Sequence, residues 1–218
     1  MTATPIQPQK PDLNYERALH QSGMISIAGL DEAGRGALAG PVVAGAVILP
    51  VGEEDLASRL CGVRDSKMMS PSQRDRWYDV IREVAVAWGT GWSTHQEIDD
   101  LGIVRATRVA MGRALHALPV SPDYLLLDYM LLRNELQPQT SLVRGDATCL
   151  SIAAASVLAK VSRDRAMIAM DRQHPGYGFA RHKGYATADH RTALAELGPS
   201  PIHRRSFAPM ARQLPLEW

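Results

Sequence analysis

Apolar residues alternate with polar or small ones from Met24 to Leu30, and that period of two predicts a strand. A turn-like Asp31-Glu32-Ala33-Gly34-Arg35-Gly36 follows. Pro41 then opens the continuous apolar run Val42–Leu49, closed by Pro50, which predicts a strand buried on both faces. The short connection makes these two strands antiparallel neighbours. Ser70 ahead of Pro71 predicts a capped helix running to about Ala87, and residues 86–93 read as a further strand. Thr94 with Glu97 has capping-box spacing, and a helical period covers about Ile103 to Leu118. Asp123–Asp128 is a short strand ending in a carboxylate, and Ser141–Arg144 a further short strand. From Ala147 to about Gln173 the pattern predicts one long helix. It is apolar nearly all round over Leu150–Val161, so its place is the centre of the fold. A last helix runs from Thr187 to Gly198. Residues 1–22, proline-spaced and without period, predict a flexible tail; 23–210 form a single domain, and 211–218 a C-terminal tail. Strands first, then strands mixed with helices, indicate an α/β layered fold with a mixed sheet.

Composition adds a compartment. The 218 residues hold two cysteines, Cys61 and Cys149, not spaced as a metal or redox pair, so a reducing, cytoplasmic setting is expected. No apolar run approaches the roughly 20 residues needed to span a bilayer, so no membrane partner is expected. The net charge of +1 argues against a polyanion-coated chain but conceals a dipole. Residues 1–129 carry 12 basic and 16 acidic residues, and residues 130–218 carry 12 and 7. Such asymmetry fits both contact with a polyanion and an ordinary solvated face.

Carboxylates at strand ends are the leading chemistry. Asp31 and Glu32 follow one apolar strand, Asp128 ends another, and Asp146 precedes the buried helix. Burial of such groups is costly unless they are paired or bound to metal. Hard oxygen donors select Mg²⁺ or Mn²⁺, and two such ions can clamp a phosphodiester. Asp146 is equally suited to cap the long helix, and Asp128 to start a turn. Alternation also sends Asp31 and Glu32 to opposite faces unless the strand twists. Spacing alone leaves both readings open. Gly34-Arg35-Gly36 lets backbone amides approach a ligand closely. Tyr177–Tyr185 interleaves aromatic, basic and glycine residues in a way that suits stacking on nucleic acid, or a packed loop. Asp65-Ser66-Lys67 and Lys160–Arg163 are further candidate phosphate contacts.

Taken in order, these segments resemble ribonuclease HII. The resemblance rests on Gly29–Gly36 continuing through Gly40–Val43, on Asp65-Ser66-Lys67, and on Gly145-Asp146 through Ser156 to Lys160 and Arg163-Asp164. Tyr177-Gly178-Phe179, His182–Tyr185 and His203–Phe207 complete it. It implies a ribonuclease H-like fold, a mixed five-stranded sheet flanked by helices with additional C-terminal helices. It implies an endonuclease acting on RNA–DNA hybrids and on duplex DNA with embedded ribonucleotides, using two Mn²⁺ or Mg²⁺ ions. Asp31, Glu32, Asp128 and Asp146 match the metal-binding catalytic carboxylates. Gly34, Arg35 and Gly36 match the segment that senses the ribose 2′-hydroxyl. Tyr185 matches the tyrosine that stacks on the neighbouring sugar. Ser66, Lys67, Lys160, Arg163, His182 and Lys183 are expected at the substrate backbone, making affinity salt-dependent. A monomer is expected, with a replication clamp as a candidate partner. The family commonly has glycine where this chain has Tyr129, which puts the turn after Asp128 in question. Met68-Met69 likewise departs from the usual leucine-containing sequence. Another two-metal nuclease and a non-catalytic hybrid-binding module are the competing readings.

Overall fold

The computed structural model describes residues 10–212, and the sheet at its centre is laid out in two halves. Strands β1 (Ile27–Ala33), β2 (Val42–Ile48) and β3 (Ala87–Ser93) form an antiparallel meander. Strands β4 (Tyr124–Asp128) and β5 (Gln139–Leu142) extend it in parallel from β1, giving the order β3-β2-β1-β4-β5. This is the mixed five-stranded sheet that the resemblance implies. β1, β4 and β5 therefore point the same way, and their C-terminal ends share one edge of the sheet, where open α/β sheets place their ligands.

Helices cover both faces. The longer are α1 (Asn14–Gln21), α3 (Pro71–Val84), α5 (Ile103–His116), α7 (Leu150–Gln173) and α9 (Ala188–Leu197). The short ones are α2 (Leu56–Arg59), α4 (His95–Leu101), α6 (Gly145–Thr148) and α8 (Phe179–His182). Even-numbered β1 residues Ala28 and Leu30 join Ala110 and Met111 of α5 in one core, whereas α7 lies over the odd-numbered face. Both helices approach the sheet at backbone contact. A Cβ on Gly45 would stand 2.4 Å from the Ala155 carbonyl oxygen, and one on Gly91 would stand 2.1 Å from that of Ala110. Ala153, Ala154 and Ala155 keep the α7 surface low enough for this fit.

The expected cap at Ser70 starts α3, where Gln73 completes a capping box, and the expected box of Thr94 with Glu97 starts α4. Three expectations need correction. Residues 14–21, expected within a flexible tail, form α1, held down because Glu16 is fully buried against the start of α7. The long helix does not begin at Ala147. Cys149 is extended (φ −117°, ψ 125°) where it bridges to Asp12, so α6 ends at Thr148 and α7 starts at Leu150. Asp146 consequently lies inside α6, whose N-cap is Arg144, and is not the cap of the long helix. The tail expected over 211–218 lies mostly outside the described residues. Among the described residues no helix is long and apolar enough to cross a membrane.

Candidate active site

Leu30 pairs with Leu127, so Asp31 follows the last rung of the β1–β4 ladder beside Asp128. Asp128 pairs with Leu142 at the end of β5, and two residues later the chain turns into α6, which carries Asp146. Gly145 ties these together: its N–H donates to Asp128 Oδ1 at 2.7 Å. The topology thus gathers four carboxylates from two strand ends and one helix. Alternation places Asp31 on the α7 face and Glu32 on the α5 face, yet at the strand end both sense the charge of Asp128.

The electrostatics are those of crowded like charge. Burial first, then Glu32, Asp128 and Asp146, hold the Asp31 carboxyl well above the usual carboxylate range. Burial also raises Glu32, with Arg35 opposing it from 3.2 Å. Desolvation raises Asp128, and the Gly145 N–H works the other way. Lys67 Nζ lies 3.2 Å from Asp146 Oδ2. Burial works against that ammonium, but Asp146, Asp31 and Asp65 together lift its pKa above the ordinary lysine range.

This donor set fits a hard divalent cation. Asp31 Oδ2 is buried with no hydrogen-bond partner among the described residues, which is costly unless something positive meets it. Among the described residues no three His, Cys, Asp or Glu side chains are already arranged around one ion. The two side-chain cations Lys67 and Arg35 stand among the carboxylates instead. The Lys67 side chain is 71% exposed, so little packing resists its withdrawal from Asp146.

The other expected contacts divide. Gly34 (φ 96°) and Gly36 flank Arg35 directly after β1. Tyr185 is half-buried, with Lys160 Nζ 5.5 Å and Arg163 Cζ 5.3 Å from its ring centre. A groove of about 600 Å³ opens beside it, lined by Arg74, Lys160, Arg165, Arg181 and Lys183 among others. Lys160 is engaged with Asp164 at 2.6 Å, and Lys183 Nζ with the Ala180 carbonyl.

Three expected substrate contacts are instead internal. Arg163 is fully buried and spends its guanidinium on the carbonyls of Pro41, Ala39 and Lys183. His182 is buried between the Tyr177 carbonyl and the Gly184 N–H. Ser66 is buried on Ser156 at 2.8 Å. Sequence shows charge and not burial, which is why they read as phosphate contacts. Helical spacing through Ile152, Ala155, Ala159 and Arg163 was the signal that Arg163 faces the sheet side. Glu16 was not singled out, and Arg204, quoted only within His203–Phe207, was given no role; both are fully buried.

The match to the ribonuclease HII family model runs over residues 28–210. A ribonuclease HII of Dehalococcoides mccartyi is 50% identical over 215 residues, covering 96% of this chain and 97% of the relative. Among solved structures, the ribonuclease H2 of Pyrococcus horikoshii OT3 superimposes with a TM-score of 0.71 at 25% identity, covering 86% of this chain and 96% of that one. The Archaeoglobus fulgidus RNase HII solved in complex with PCNA gives 0.68 at 25% identity, covering 82% and 93%. A carboxylate cluster at the parallel strand ends, on a sheet of this order and with this breadth of match, leaves one assignment: the chain belongs to the ribonuclease HII family, metal-dependent ribonuclease H hydrolases.

Proposed function

We propose that this enzyme hydrolyses the RNA strand of RNA–DNA hybrids and also incises duplex DNA on the 5′ side of single embedded ribonucleotides, leaving 5′-phosphate and 3′-hydroxyl ends. The observation that carries the reading is the buried, unpartnered Asp31 Oδ2 at the centre of four carboxylates. Asp31, Glu32, Asp128 and Asp146 would hold two divalent ions, Mg²⁺ or Mn²⁺, which when bound supply positive charge for the attacking and leaving oxygens. The chain's own residues do the rest. The Gly145 N–H fixes one Asp128 oxygen and so orients the other. Arg35 steadies Glu32, and Lys67 balances Asp146 until a cation replaces it. The Gly34–Gly36 segment and Tyr185 would test a sugar for its 2′-hydroxyl, and the basic groove beside Tyr185 suits a phosphate backbone.

A monomeric cytoplasmic enzyme fits this work. A clamp contact through the C-terminal segment belongs to the same reading, by likeness to the Archaeoglobus complex; residues 213–218 lie outside those described. Asp31→Asn tests the metal assignment. It should remove metal-dependent cleavage by at least about a thousandfold while leaving duplex affinity in place, the pattern of a lost transition-state interaction. Undiminished turnover in that variant refutes the assignment.

A further inference from the structure

Beneath the Gly34–Gly36 segment lie two buried guanidinium groups, Arg163 and Arg204, and neither forms an ion pair among the described residues. Arg204 Nε donates to the Gly40 carbonyl at 3.0 Å, Nη1 to that of Arg35 at 2.8 Å, and Nη2 to that of Gly34 at 2.7 Å. Arg163 takes the carbonyls of Ala39 and Pro41. One side of the loop's backbone is therefore fastened to arginine.

The consequence follows from peptide geometry. In a planar trans peptide the C=O of one residue and the N–H of the next point in opposite directions. With the Gly34 and Arg35 carbonyls turned inward to Arg204, the Arg35 and Gly36 N–H groups are turned outward. Neither amide donates to an acceptor among the described residues. The glycines mark the two sides of the loop. A Cβ on Gly34 would strike Arg163 Nε at 2.0 Å, whereas one on Gly36 would meet nothing within 4 Å among the described residues. Gly34 seats the loop on buried arginine, and Gly36 keeps its outer surface clear. Burial, and then the nearby Arg163 charge, pull the Arg204 pKa down to about 9, against the weaker opposing pull of Tyr185 and Asp99. Two positive charges without a direct ion pair among the described residues thus stand behind two outward amides, an arrangement that favours an electron-rich oxygen in front.

We propose that Arg204 is a positioning residue for sugar discrimination: by holding both carbonyls it presents the Arg35 and Gly36 amides together to the 2′-hydroxyl oxygen of the ribonucleotide. This rests on the proposed function. It predicts that Arg204 affects the preference for ribose over deoxyribose rather than overall affinity for nucleic acid. Lysine preserves the charge at 204 but lacks the fork that spans the three carbonyls.

The test is equilibrium binding without divalent metal, by fluorescence anisotropy, of a duplex with one ribonucleotide and of the same duplex in all-deoxy form. R204K should lower the ribose preference by about two- to tenfold, the worth of roughly one hydrogen bond, with all-deoxy affinity unchanged. A folded R204K that keeps the preference, or that loses both affinities equally, overturns the role of Arg204 and leaves the proposed function standing. A wild-type enzyme with no ribose preference in binding or cleavage removes the proposed function, and this role with it. The wild-type chain gives a second reading that does not depend on R204K folding. The Arg35 and Gly36 amide resonances should shift with the ribonucleotide duplex and not with the all-deoxy one; an equal response overturns the proposal.

Discussion

Glu16 Oε1 accepts the Ser151 N–H at 2.7 Å across 135 positions of chain, so a carboxylate from α1 caps the first turn of α7. Cys149, the residue at the N-cap position, makes no side-chain cap of its own and donates its thiol to the same oxygen at 3.1 Å. α7 in turn packs over β1 and β2 and carries Arg163, so this cap lies upstream of the whole site. Glu16→Ala should cost about 1–2 kcal/mol, the range for a lost helix cap. For a chain of this size that lowers Tm by roughly 2–8 °C. Glu16→Gln, which keeps an acceptor oxygen, should cost less. Wild-type stability in Glu16→Ala would show that α1 is only draped on the helix.

Two glycine-to-alanine variants should behave oppositely in urea denaturation. Gly45→Ala drives a methyl to 2.4 Å from the Ala155 carbonyl, where helix and strand backbones must both move. A loss of at least about 1–3 kcal/mol is expected from such overpacking. Gly36→Ala meets no atom of the described residues within 4 Å, so its stability should stay within about 0.5 kcal/mol of wild type. Its defect should instead appear in cleavage, because the methyl occupies the outer surface of the loop. Equal destabilisation by the two would contradict the inside–outside assignment.

Tyr129 settles the turn that its side chain put in question. Its φ is 59°, so the chain after Asp128 adopts the left-handed conformation that glycine takes most easily, and the residue is 69% exposed. The backbone is held there by its N–H to the Leu142 carbonyl at 2.9 Å. Tyr129→Gly should therefore raise the urea midpoint, by up to about 1 kcal/mol of stability, as the Cβ strain is removed. A lower midpoint would mean that the exposed ring contributes more than the strain costs.

Acid should weaken the packing of α9 against the segment around His203 before the sheet. His203 is buried, its Nε2 3.0 Å from His190 Nε2, while its Nδ1 meets Ser200. Burial first, then His190, push His203 down to about 4, and burial lowers His190 as well. The unfolded chain takes up a proton near pH 6.5 whereas folded His203 waits until about 4. Stability is therefore full above 6.5 and lost as pH falls from there towards 4. Denaturation curves at pH 7, 6 and 5 should show this slope, and His203→Gln should flatten it. An unchanged slope in His203→Gln would place the acid sensitivity elsewhere.

Much of this architecture was legible before folding. The capping spacings at Ser70 and Thr94, the proline-bounded run Val42–Leu49 and the alternation before Asp31 each follow from local chemistry and led to the observed elements. The carboxylates stood out because acids directly after apolar strands have few inexpensive roles. What escaped depends on partners far along the chain. α1 looked like tail because prolines at 5, 8 and 11 dominate its neighbourhood, and nothing local says that Glu16 is buried 135 residues from its donor. Arg163 and Arg204 carry the same charge as any surface arginine. Only the close approach of the Gly34–Pro41 segment, set by tertiary packing, turns them inward.

The central claim is that four carboxylates at the parallel strand ends direct metal-dependent hydrolysis to a ribonucleotide. Product mapping on duplex DNA with one embedded ribonucleotide, with and without Mg²⁺ or Mn²⁺, tests it most directly. The account predicts one incision on the 5′ side of the ribonucleotide, a 3′-hydroxyl and a 5′-phosphate at the nick, no cleavage without metal and none of the all-deoxy duplex. Equal cutting of the all-deoxy duplex, or cleavage that persists without divalent metal, would contradict it.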